Sequence, residues 1–184
     1  MSFTDRLMNS VRGAGQVGII GGAVLLAVVV LGVYLLINQA SAGAIGREVS
    51  DEGAGHVTEG QPLTYRNSPP ASGQHYPSPR PWGVYQEEVP EGYWVHNLEH
   101  GGIVLLYNCP EACPELQQQV EDAFKTFPVG KYGQVKLLVT PYAKLQNTVT
   151  AVAWNRILEL DTYDREQVLQ FYKAYVDRGP EDVP

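Results

Sequence analysis

The chain has 184 residues, with 13 Lys and Arg against 20 Asp and Glu, four His, and a formal net charge of −7. A nucleic-acid binder needs a basic face, and nothing in this acidic composition suggests one. An acidic surface also gives no electrostatic reason to dock on anionic lipid headgroups.

The first element is apolar. Val17 to Ile37 contains no charged residue, and a bilayer core is spanned by about 20 apolar residues in a helix. Residues 17–38 are therefore expected to be a transmembrane helix, with 1–16 cytoplasmic. Ala40-Ser41-Ala42 resembles a signal-peptide cleavage site, but the run is longer than the apolar core of such peptides. Arg6 and Arg12 precede the run, whereas Arg47 behind it is surrounded by Glu48, Asp51 and Glu52. The positive-inside tendency puts the remainder outside the cytoplasm, in a periplasmic or extracellular location at the cell membrane.

Residues 39–60, rich in Gly, Ala and acids, are expected to form a flexible stalk. Residues 61–184 are then one extracytoplasmic domain, long enough for a single core. Gln61 to Gly92 holds seven prolines interleaved with Tyr65, Tyr76, Trp82 and Tyr85. Proline removes a donor and clashes with the preceding turn, so an extended ordered segment is expected there.

The core is expected from Tyr93 onward. Ile103–Tyr107 is a continuous apolar run and reads as a buried strand. Pro114–Phe127 is an amphipathic helix with Pro in its first turn. Val135–Thr140 is a second strand, and Val149–Leu160 a third with a bulge near Asn155. Asp164 opens the last helix, with Gln167 placed for a capping box. The order β-α-β-β-α predicts an α+β sandwich with helices on one face of a small sheet. The short connection between the second and third strands predicts an antiparallel pair.

All four histidines, His56, His75, His96 and His100, precede the first core strand. His96-Asn-Leu-Glu-His100 places two imidazoles four residues apart, so they share a face on a helix or a strand. Imidazole suits zinc, copper, iron and nickel. His75, His96 and His100, joined by Glu99 if the segment is helical, are the candidate ligands for a copper or zinc ion. A single helical turn or an irregular loop is expected there. The alternative is that these histidines are hydrogen-bonded structural residues. The same five residues match the H-x-x-E-H pattern of the inverted zinc peptidases. Those enzymes have long helices and a far larger body, so the chain is read as a non-enzyme.

Cys109 and Cys113 flank Pro110-Glu-Ala112 between the first strand and the next helix. Outside the cytoplasm such a pair is expected as a disulfide, with a thiol metal site as the alternative. Tyr107 to Leu116 resembles the copper-delivery segment of the Sco family, membrane-anchored thioredoxin-like proteins that use both Cys and a downstream His. No His follows Cys113 here. A mixed copper site would need His96 or His100 to fold back onto the pair.

Further motifs recur in order: Ser72-Gly-Gln-His-Tyr76, Val95-His-Asn-Leu-Glu-His-Gly101, Thr140-Pro141, Ala153-Trp-Asn-Arg156, Leu160-Asp161, Phe171 and Gly179-Pro-Glu181. Together they resemble the domain of unknown function 3105 family. The resemblance implies that His75, His96, Glu99 and His100 belong to one site, and it supplies no catalytic assignment. Two functions are expected from these readings. One is a metal-binding ectodomain in metal handling or redox-complex assembly. The other is an accessory subunit of a larger respiratory or photosynthetic membrane complex, with a structural His cluster.

Overall fold

The computed structural model describes residues 28–30, 44–111 and 113–184. Val28 to Val30 are helical. The rest of the expected membrane helix, the cytoplasmic N-terminus and residues 39–43 of the expected stalk lie outside the described residues. Among the described residues, no helix is long and apolar enough to cross a membrane.

The folded unit runs from Ala44 to Pro184 and mixes helices with sheet, in line with the expected α+β class. Its six-stranded sheet is built on β5, Ile103–Tyr107. The other strands are β1 (Arg47–Glu48), β4 (Gly83–Val84), β6 (Leu137–Pro141), β7 (Val149–Ala153) and β8 (Arg156–Leu160), in the order β1-β8-β7-β5-β6-β4. A separate parallel pair joins β2 (Ala54–His56) to β3 (Gly73–His75).

Two expectations about the sheet are corrected. The second and third expected strands do not pair with each other. Both flank β5, with β6 parallel and β7 antiparallel to it. The crossover helix between β5 and β6 enforces the parallel partner. The chain then crosses the C-terminal end of β5, where Tyr142 N–H donates to Tyr107 O and Asn108 N–H to Thr148 O. That crossing delivers β7 to the other side of β5. The expected bulged strand at 149–160 is instead the hairpin β7–β8. Asn155 adopts φ 58° in its turn, a left-handed conformation that Asn tolerates.

Helices cover both faces of the sheet rather than one. On one face, α2 (Pro114–Thr126) and α3 (Arg165–Tyr175) pack Val120, Ala123, Val168 and Phe171 against Leu105, Tyr107 and Val139. On the other, α1 (Glu91–Glu99) packs Trp94, Val95 and Leu98 against Val104, Leu106 and Leu138. All five residues of β5 are buried, which explains its unbroken apolar run; a strand covered on one face alternates. Burying each large side chain of α1 contributes roughly 1.5–3 kcal/mol.

The core also starts earlier than expected. Residues 44–60 are paired into the domain: β1 pairs antiparallel with β8, and Val49 is buried. The Glu52 carboxylate accepts from the backbone N–H groups of Arg66 and Asn67. The Pro-rich stretch runs as an extended, ordered segment through β3 and β4, as expected, and only its last two residues enter α1.

Candidate metal centre

Residues 91–99 form α1, longer than the single turn expected at His96–His100. Its β-branched and aromatic residues enter a helix because they face the buried side of the sheet, where packing outweighs propensity. The end of α1 is fixed by a Schellman turn. Gly101 N–H donates to Leu98 O and Gly102 N–H to Asn97 O. Gly101 has φ +76°, which favours a residue without a Cβ. The turn holds His100 at the C-cap, directly after Glu99.

The other donors come from β2 and β3, whose parallel register sets His56 opposite His75. The strand pair is tied to α1 by Tyr76 N–H donating to Gly92 O. Together these elements gather His56, His75, His96 and Glu99, whose ligand atoms all lie within 4.8 Å of one another. The rings of His56, His75 and His96 form a triangle with centroids 4.9 Å apart on each side. His75 is fully buried, His96 and Glu99 nearly so, and His56 stands at the solvent edge.

Backbone carbonyls determine which nitrogens face the cluster. His75 Nδ1 lies 2.8 Å from Gly73 O, and His96 Nδ1 2.7 Å from Tyr76 O. A carbonyl only accepts, so both Nδ1 atoms carry the proton and both Nε2 atoms keep a lone pair; that of His96 faces His100 Nε2. His75 Nε2 then lies 2.9 Å from Glu99 Oε2. The contact does not form a hydrogen bond, and both atoms are buried with no hydrogen-bond partner among the described residues. Two electron-rich atoms this close repel unless a proton or a metal ion is shared between them. A backbone-pinned Nδ1–H with Nε2 turned toward a common point is the usual orientation of metal-ligating histidine.

Burial pushes His96 down to about 4; repulsion from His100, His75 and His56 adds to this, against the opposing pull of the Tyr76 carbonyl. Burial also lowers His100, helped by Lys136 and His75 and opposed by Glu181 and Glu99. Both rings are neutral near pH 7, the form that ligates.

The sequence-expected ligands His75, His96 and Glu99 are thus brought together, and His100 stands one step aside. Its Nε2 lies 2.9 Å from His96 Nε2 and 3.3 Å from Glu181 Oε2. His56 was not expected in the set, because its short strand lies in a stretch that reads as a stalk. The C-terminal segment closes over this side. Glu181 N–H donates to Glu99 O, and the buried Lys136 ammonium donates to His100 O beside Asp177 Oδ1 at 3.0 Å.

Cys109 and Cys113 are joined in a disulfide. They follow the C-terminal end of β5, whereas His100 precedes its N-terminal end. The length of β5, roughly 15 Å at the usual rise per residue, separates the two centres, so neither His96 nor His100 folds back onto the cysteines.

Residues 56–184 match the family model described as "Protein of unknown function (DUF3105)", and the chain belongs to that family. No curated protein and no solved structure matches the chain.

Proposed function

We propose that this chain is a metal-binding protein. His56, His75, His96 and Glu99 would hold one divalent ion, zinc or copper(II), in an ectodomain that handles metal or assists redox-complex assembly at a membrane. The reading rests on one observation: the buried His75 Nε2 and Glu99 Oε2 face each other at 2.9 Å without a hydrogen bond. Three imidazoles and one carboxylate supply borderline and hard donors, which suit zinc or copper(II). Copper(I) prefers thiolates or thioethers, and both cysteines are committed to a disulfide at the far end of β5. The two backbone carbonyls on His75 and His96 would fix ligand orientation before an ion arrives.

The test is metal analysis of the full-length protein, purified in mild detergent and dialysed against zinc or copper(II). The expected result is about one ion per chain, as for a closed four-donor site, lost in a His75→Ala/Glu99→Gln double variant. A wild-type protein that retains no stoichiometric metal overturns the reading.

A further inference from the structure

A cleft of about 770 Å³ lies away from the histidines, at the C-terminal end of β5, lined by both Cys109 and Cys113. Pro110, Leu116 and Tyr163 form apolar parts of its wall. The Tyr163 hydroxyl is buried behind this wall and has no hydrogen-bond partner among the described residues. Glu111, Glu115 and Asp161 add three carboxylates, and among the described lining residues there is no lysine or arginine. The disulfide itself is half-buried in this open cleft rather than sealed in the core. Disulfides that serve only as staples need no such access; accessible ones are the labile and catalytic kind.

We infer that Cys109–Cys113 is a thiol–disulfide exchange site, taking two electrons from a neutral or basic polypeptide segment that carries a pair of cysteine thiols. The asymmetry of the two sulfurs sets the direction of attack. Cys113 is the N-cap of α2, and no side chain caps that end. Pro114 has no N–H, so the first N–H groups at that end are those of Glu115 and Leu116, which an N-cap side chain can reach. A helix N-terminus stabilises such a thiolate, and a stabilised thiolate leaves faster.

A partner thiolate attacks Cys109 Sγ. The Sγ–Sγ bond breaks, and its electron pair leaves on Cys113 Sγ. The second partner thiol, deprotonated, attacks the partner's sulfur in the mixed disulfide and releases Cys109. The partner is oxidised to its disulfide, and the two protons from its thiols pass by way of solvent to Cys109 and Cys113. The three carboxylates disfavour an anionic thiol such as glutathione and favour a lysine-bearing segment.

The experiment uses the full-length oxidised protein and two synthetic dithiol peptides, one lysine-rich and its glutamate-rich twin. Loss of the disulfide is followed by alkylation and mass measurement, with circular dichroism confirming that the fold persists. The lysine peptide is expected to react at least about tenfold faster at low salt, with the gap shrinking as salt screens the carboxylates. The Cys113→Ser variant, offered a single-cysteine form of the lysine peptide activated as its thiopyridyl disulfide, is expected to retain it on Cys109, because no second thiol releases it. Resistance of the folded wild type to both peptides until denaturation overturns the exchange site. Equal rates for the two peptides overturn the assigned partner. Both readings come from the wild type, so they stand even if the variant does not fold.

Discussion

His56 lies directly across a parallel strand pair from His75, yet the two occupy opposite extremes of exposure, one half in solvent and the other fully enclosed. Their substitutions therefore differ in effect. His56→Ala leaves three donors in place and is expected to weaken zinc binding by at least about tenfold. His75→Ala removes a proposed ligand and also empties a buried position, so its loss is expected to be larger. Calorimetric titration of the two variants measures the order; equal losses would contradict it.

Metal removal is expected to soften the whole domain. An ion that binds only the native state, present at about a hundred times its dissociation constant, adds about 2.7 kcal/mol. For a domain of this size that corresponds to roughly 8 °C in Tm. Thermal melts with zinc and after chelation check this, and identical curves would argue against a native-state site.

The disulfide closes a very short loop, with four residues of sequence separation. Loop-closure entropy predicts about 2 kcal/mol of stabilisation. The double variant Cys109→Ser/Cys113→Ser is expected to lose that amount in a denaturant melt. Its zinc affinity is expected to stay within about twofold, because β5 separates the centres. A larger change in affinity would show that the two ends are coupled.

Tyr172 is fully buried; its hydroxyl donates to Pro128 O at 2.9 Å and accepts from Lys136 N–H at 3.2 Å. Tyr172→Phe leaves both backbone groups without this partner, at a cost of about 1–3 kcal/mol. Burial raises the phenol to about 12. Its neutral form favours the folded state fully below the ordinary phenol range near 10, and that stability is lost as pH rises through about 12. Urea melts across alkaline pH are expected to show a steeper decline for the wild type than for the Phe variant over that interval.

A Cβ added at Gly179 would overlap Glu99 O and the backbone N of Gly101. These are backbone atoms with little room to yield. Gly179→Ala is expected to lift the C-terminal segment from the end of α1 and destabilise the domain by about 1–3 kcal/mol. It would also separate Glu181 from His100. Histidine ring resonances followed by NMR would report the separation, and an unchanged His100 signal would refute it.

The sequence showed most where chemistry is local. β5, α2 and α3 are legible because apolar spacing, Pro114 and Asp164 each speak for their own element; Asp164 does cap α3, accepting from Glu166 and Gln167 N–H. The H-N-L-E-H spacing likewise pointed to His96 and Glu99 as neighbours, since both ride on one helix. His56 was hidden because β2 owes its existence to pairing with β3 rather than to any apolar pattern of its own. The flanking of β5 by β6 and β7 was hidden for a similar reason. The decisive contacts, Tyr142 to Tyr107 and Asn108 to Thr148, join residues that no periodicity links.

His56, His75 and the pair His96 and Glu99 arrive on three separate pieces of backbone, and two of those pieces have little regular structure. No fragment of the chain carries the full donor set. Capture of an ion at this point would therefore act as a proofreading step for the fold. Chains that have not docked β2 and β3 onto α1 would bind weakly and exchange their metal, while correctly closed ones would keep it.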